Sequence, residues 1–239
     1  LKRLCRERGA AVVLITHDMG VIAETCDRVA VMYAGRVAEI GPVDAVIHRS
    51  AHPYSAGLMA SIPDIDGDDE RLHQIDGSMP RLNGIPSGCA YHPRCAHALP
   101  CCAQQRPELQ AVGQGLAACW LIDANAPAQA MVEESLASAM AGAPAARVDP
   151  ANGTVQLTGH PDHRASAAGP QHPTPLVQVR DLARHFDVST PWLNRVLEGE
   201  PRRMLRAVDG VSLEIPEGQA VGIVGQNGSG KTTLTKLLN

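Results

Sequence analysis

The 239-residue chain is 44% apolar but only 3% aromatic, so any core must rest on Val, Leu, Ile, Ala and Met. A net charge of −4 without a basic block gives no electrostatic reason to expect a nucleic acid partner. No apolar run reaches the roughly 18 residues of a membrane-spanning helix, and no secretory signal opens the sequence, so a soluble, cytosol-facing protein is expected.

In chain order, residues 1–8 read as the last turns of a helix already under way. Residues 11–15 (AVVLI) form a short continuous apolar run, as expected of a strand buried on both faces of a parallel sheet. Asp18 is placed to cap a helix over residues 19–26. Residues 29–33 and 36–40 flank Ala34 and Gly35 and predict a β-hairpin, which Gly41 and Pro42 stop. Pro42 suits the first turn of a helix over residues 43–49.

From residue 52 to about residue 123 the periodicity fades, and this stretch holds five of the seven cysteines. It reads as a small module held together by side-chain chemistry. Residues 124–175 are dominated by Ala, Pro, Gly, Ser and His, too poor in large apolar groups to offset their ordering entropy. They read as a disordered linker, with an Ala-rich helix at residues 128–140 as the local exception. Strands are expected at residues 176–182 and 207–215, separated by a polar insertion at residues 189–203. A third strand, residues 220–224, runs into a glycine-rich turn, and residues 232–239 open an apolar-periodic helix. Helices as short as those at the two ends are marginal without packing or continuation, so both ends are expected to be cuts in a longer protein.

Gly225, Gln226, Asn227, Gly228, Ser229, Gly230, Lys231 and Thr232 fit G-x-x-x-x-G-K-[ST] at every fixed position, after a strand and before a helix. The glycines let successive backbone N–H groups face a phosphate, and the helix adds its positive N-terminal end. Lys231 is expected to reach the β- and γ-phosphates of ATP, and the Thr232 hydroxyl to ligate Mg²⁺. Thr233 completes the loop's C-terminal edge.

The run from Val208 through Gly218, followed by this loop, resembles the start of an ABC transporter ATPase domain. The resemblance implies a two-strand antiparallel lead-in and an aromatic residue stacked on adenine, matched here by Phe186, the only Phe. The front of the chain resembles the other end of such a domain: residues 11–17 (AVVLITH), then Cys26-Asp27-Arg28-Val29 and Tyr33-Ala34-Gly35-Arg36-Val37. By that match His17 is the switch histidine, which bonds the γ-phosphate and orders the attacking water. His52-Pro53-Tyr54 and the cysteine-rich run at residues 85–102, followed by Arg106-Pro107-Glu108-Leu109 and Cys119-Trp120, resemble the C-terminal module of oligopeptide and dipeptide importer ATPases.

The resemblance implies an α/β fold of partial P-loop NTPase (ABC ATPase) domains. The expected divisions are the end of a first ATPase domain at residues 1–50, a Cys-rich C-terminal module at 51–123, a flexible linker at 124–175 and the start of a second ATPase domain at 176–239. It implies a peptide importer's ATPase, peripheral to the cytoplasmic face of a bacterial inner membrane. Its partners would be membrane permease subunits and a second ATPase domain in the same chain.

Cys89, Cys95, Cys102 and Cys119 stand at C-x5-C-x6-C-x16-C, with Cys101 as an extra neighbour that leaves the third position ambiguous. A reducing compartment argues against disulfides. Four thiolates could hold a [4Fe–4S] cluster or Zn²⁺, or stay unmetallated, and the spacing lacks the C-x2-C pair usual for zinc. Cys5 and Cys26, on expected helices, read as buried small apolar residues.

No LSGGQ-like sequence, no apolar strand ending in Asp-Glu and no glutamine loop occurs among the 239 residues. Negligible ATP hydrolysis by the chain alone is therefore expected, and pairing of its two ends into one permuted domain is doubtful on sequence grounds. Two other readings stay open at this point: a redox- or metal-sensing cysteine module on an ATPase scaffold, and a soluble ABC ATPase without a membrane partner.

Overall fold

The computed structural model describes residues 1–62, 74–122, 175–190 and 201–238. The expected linker, its Ala-rich helix and most of the polar insertion lie outside the described residues.

The front of the chain folds much as its pattern predicts. Helix α1 (Lys2–Arg8) ends at Gly9, whose left-handed φ of 62° suits a helix C-cap. Strand β1 (Val12–Ile15) leads to helix α2 (Met19–Thr25), where the Asp18 carboxylate accepts the Val21 N–H at 3.2 Å. Strands β2 (Arg28–Tyr33) and β3 (Arg36–Pro42) pair as an antiparallel hairpin. Their two-residue turn puts Ala34 and Gly35 at φ of 48° and 82°, the hand that matches the strands' own twist. Helix α3 (Val43–His48) follows at once, with Pro42 as its N-cap residue.

Three elements were not legible in the sequence. Helix α4 (Pro53–Ala60) starts on an unusual cap, the His52 imidazole, whose Nδ1 accepts the Tyr54 N–H at 3.0 Å. Strands β4 (Gln110–Val112) and β5 (Gly115–Ala117) are too short to show a period, yet β5 adds to the edge of β3 and β4 to β5. Between α4 and β4 lie short 3₁₀ turns at His92–Arg94 and Pro100–Ala103.

Strands β6 (Pro175–Asp187) and β7 (Met204–Pro216) form a separate antiparallel ribbon, each longer than expected because residues 184–187 pair with 204–208. Strand β8 (Ala220–Val224) and helix α5 (Lys231–Leu238) flank the glycine-rich loop.

The doubt about pairing between the two ends of the chain is overturned. In the main sheet, of order β1-β8-β2-β3-β5-β4, β8 lies between β1 and β2 and runs parallel to both. The reason is physical: all five residues of β8 are buried, so both faces and both hydrogen-bonding edges need cover. Asp27 fastens the insertion, its N–H donating to Ala220 O at 2.8 Å and its carboxylate accepting Ala220 N–H at 2.9 Å. Gly222 lets α2 approach closely, since a Cβ there would lie 2.5 Å from the Ile22 side chain.

Two apolar layers cover the sheet. On one face Ile22, Cys26, Val29, Val31, Tyr54 and Tyr91 pack together. On the other, Ala30, Met32, Val221 and Ile223 meet Val208, Val211, Leu213 and Ile215 of β7 and Leu234 of α5. Cys5 and Cys26 are buried, as their apolar reading requires. Among the described residues no helix is long and apolar enough to cross a membrane.

Candidate functional site

The glycine-rich loop leaves the C-terminal end of β8, where two parallel neighbours end beside it, and enters α5. Ligands of open parallel sheets bind at this position in general. Three loop glycines take conformations that other residues rarely adopt: Gly225 at φ 148°, Gly228 at 85° and Gly230 at 99°. A Cβ on Gly225 would lie 2.3 Å from Met32 O, and one on Gly230 2.2 Å from Ala207 O. At Gly228 a Cβ would meet nothing within 4 Å, so the loop's crest faces open space. That is the shape a phosphate cradle needs.

Lys231 Nζ donates to Gly225 O at 2.7 Å and Gln226 O at 2.9 Å, bridging the loop's own entrance. Burial lowers its pKa from the ordinary lysine range. Ser229 is buried, Thr232 is exposed and Thr233 half-buried at the start of α5. The loop is fixed from outside as well: Gly35 N–H donates to Ser229 O at 2.9 Å, and Asp209 N–H to Gly35 O at 3.0 Å.

His17 follows β1, the strand beside β8, and is exposed. It lines one cleft of ≈ 540 Å³ together with Met19, Leu58, residues 77–79 and Val224–Asn227. The structure thus brings His17 to the phosphate loop from the far end of the chain. Phe186 is 40% exposed on β6, with the Arg184 guanidinium 5.1 Å from its ring centre, and is not among the residues lining that cleft.

Two site residues had no role assigned from sequence. Tyr54 Oη accepts the Gln226 N–H at 2.9 Å, and Arg94 Nη1 donates to Gln226 Oε1 at 3.0 Å. Tyr33 meets Tyr54 and Tyr91 edge to face, and Tyr54 and Tyr91 pack tilted, with centroids 4.6–5.4 Å apart. Burial pushes both the Tyr54 and the Tyr91 hydroxyl up to about 12, so they act as neutral hydrogen-bonding groups. Their only sequence signal was membership in the His-Pro-Tyr and cysteine-rich runs.

The cysteine module gathers Cys89, Cys95, Cys102 and Cys119 within electrostatic reach of one another. The Cys89 N–H donates to Cys102 O at 2.8 Å. Burial raises Cys95 to about 11 and Cys119 to about 12, and raises Cys89 and Cys102 as well. Among the described residues no three His, Cys, Asp or Glu side chains stand where a metal ion could be held. The side chains as placed do not fit the expected [4Fe–4S] or Zn²⁺ site.

Comparison with known proteins agrees with this geometry. The family described as "Oligopeptide/dipeptide transporter, C-terminal region" matches residues 38–102, and the family "ABC transporter" matches residues 208–239. An oligopeptide transport ATP-binding protein, OppD of Mycobacterium tuberculosis, is 36% identical over 232 residues, covering 96% of this chain and 33% of that protein. OppD of Haemophilus influenzae is 46% identical over 122 residues, 51% of this chain and 38% of its own length. AppD of Bacillus subtilis is 44% identical over 109 residues, 46% of this chain and 33% of its own. The chain spans about a third of the length of these curated relatives. With these two families matched at opposite ends of the chain, it is similar to the ATP-binding proteins of oligopeptide ABC transporters.

Proposed function

We propose that the chain binds Mg²⁺–ATP at residues 225–233 and is part of the ATP-hydrolysing subunit of an importer that carries peptides inward across a bacterial inner membrane. The observation that carries this reading is the shared cleft: His17 and the phosphate loop face the same space from adjacent strands. The peptide substrate rests on the relatives' names, which describe oligopeptide transport.

The loop's backbone N–H groups and the N-terminal end of α5 would receive the β- and γ-phosphates. Lys231, partly desolvated, would exchange its two carbonyl partners for phosphate oxygens, and the exposed Thr232 hydroxyl would ligate Mg²⁺. His17 would bond the γ-phosphate and orient a water for in-line attack, and Phe186 would stack on adenine. Bound Mg²⁺–ATP supplies the transferable phosphoryl group and a cation that spreads its charge. Clamping of this loop against an LSGGQ motif on another domain would pass the motion to permease subunits at the cytoplasmic face.

Titration with a fluorescent ATP analogue and Mg²⁺ tests the binding half: micromolar binding lost in Lys231→Ala supports it, and equal affinity of the two proteins sinks it. Phosphate release tests the other half. The 239 residues contain no LSGGQ motif, so turnover by this chain alone should stay near background; sustained turnover abolished by Lys231→Ala would overturn that.

The four-thiol module, whose side chains as placed do not fit a metal ion, reads as a set of structural thiols. A metal there would have to draw the thiols together as it deprotonates them. Anaerobic purification with metal and sulfide analysis decides it: iron and sulfide near four each per chain establish the cluster, one zinc per chain establishes Zn²⁺, and neither leaves structural thiols.

A further inference from the structure

We propose that Arg94 is a positioning residue for nucleotide binding, holding the phosphate loop and one wall of its cleft in register with the cysteine module. The proposal rests on the reading of residues 225–233 as the nucleotide site.

A guanidinium has five N–H donors in a fixed planar fork. Those of Arg94 reach five acceptors. Nε donates to Asp76 O at 2.7 Å, and Nη2 to Ile75 O at 3.2 Å and Gly77 O at 3.1 Å. Nη1 donates to Tyr33 Oη at 3.2 Å and to Gln226 Oε1 at 3.0 Å. The Arg94 Cζ also lies 5.9 Å from the ring centres of both Tyr33 and Tyr91. Arg94 itself sits in the His92–Arg94 turn, between Cys89 and Cys95. One side chain therefore ties three parts of the site together.

The first is the loop. Gln226 is gripped at its side chain by Arg94 and at its backbone N–H by Tyr54. Its carbonyl in turn accepts Lys231 Nζ at 2.9 Å and the Ser229 N–H at 3.2 Å. A shift of Gln226 would move the resting position of Lys231 and the curvature of the loop. The second is the wall at residues 75–79, of which Gly77, Ser78 and Met79 line the same cleft as the loop and His17. The third is the cysteine module, whose local conformation sets where the guanidinium starts. Lys has three donors on a flexible stem and could not reach the same five acceptors.

The test uses the whole chain, a fluorescent ATP analogue with Mg²⁺ as probe, and circular dichroism as a folding check. Arg94→Ala and Gln226→Ala should each weaken binding about tenfold, the size of one charge-assisted bond. The double variant should be no more than about twofold weaker than either single one, because both changes remove the same link. Arg94→Lys should stay near Arg94→Ala. A purely structural Arg94 would instead give effects that multiply with Gln226→Ala, and that result overturns the proposal. So does an Arg94→Ala protein that binds within twofold of wild type. If Arg94→Ala does not fold, Gln226→Ala, which leaves four of the five bonds, carries the test alone: unchanged affinity overturns the proposal. Wild type that binds no nucleotide defeats the nucleotide reading, and Arg94 falls with it. Binding that depends on Lys231 but not on Arg94 or Gln226 defeats Arg94 alone.

Discussion

The Arg36 guanidinium and the Asp209 carboxylate, 173 positions apart in the chain, meet through both Nε and Nη2, with Nε to Oδ2 at 3.0 Å. The pair fastens the β2–β3 hairpin to the ribbon that leads into the phosphate loop. His185 Nε2 stands 3.2 Å from the other Asp209 oxygen. Burial works to raise the Asp209 pKa, but Arg36, His185 and Arg206 together outweigh it and hold the carboxyl below its ordinary value. Both side chains are under 20% exposed, at 19% and 15%, so the pair is only partly screened by solvent.

Asp209→Asn should therefore destabilise the chain by about 1–3 kcal/mol, the loss of charge-assisted bonds at a half-buried site. Urea unfolding at neutral pH measures it. A lowered carboxyl pKa in the folded state stabilises above the unfolded value and is lost as pH falls through the folded one. The gap between wild type and Asp209→Asn should thus narrow below pH 4, and a gap that widens there would refute the assignment.

His52 gives a second pH dependence, at higher pH. It is 3% exposed, and burial pushes its pKa down to about 4 from 6.5. The folded state then binds fewer protons than the unfolded one between these values, so stability falls as pH drops from 6.5 toward 4. The shift corresponds to about 3 kcal/mol. Neighbouring Glu39, which accepts the Ala51 and His52 N–H groups, has its pKa raised chiefly by burial and acts in the opposite direction. His52→Asn keeps a cap acceptor for Tyr54 but cannot titrate. The wild-type minus His52→Asn stability should decline across this window, and a flat difference would show that His52 does not titrate there.

The loop glycines should not be equivalent. Ala at position 228 meets open space and suffers only the backbone strain of positive φ, about 1–2 kcal/mol. Ala at position 230 also drives a Cβ to 2.2 Å from Ala207 O, a backbone atom that cannot swing aside. Gly230→Ala should be about 2 kcal/mol less stable than Gly228→Ala by thermal or urea unfolding. Equal stability would mean that the loop does not pack on β7 as described.

Gly222→Ala tests the docking of β8. Its Cβ would press on Ile22 and come within 3.3 Å of the Cys26 thiol, forcing α2 off the sheet. A loss of about 1–3 kcal/mol is expected, and the double variant Gly222→Ala with Ile22→Val should recover part of it. Without such recovery the strain lies elsewhere.

The sequence by itself determined the phosphate loop, because that chemistry is local: eight contiguous residues, a strand before them and a helix after. It determined the β2–β3 hairpin and the Asp18 cap for the same reason. It left α4 unread because a histidine cap is rare, and β4 and β5 unread because three residues show no period. Tertiary structure alone decided that β8 lies between β1 and β2, that His17 faces Gly225–Asn227, and that Arg94 holds Gln226. Each of these joins distant parts of the chain. Burial of a strand apolar on both faces selects the partners, and saturation of a half-buried guanidinium selects the acceptors. Neither requirement leaves a mark at a fixed spacing along the chain.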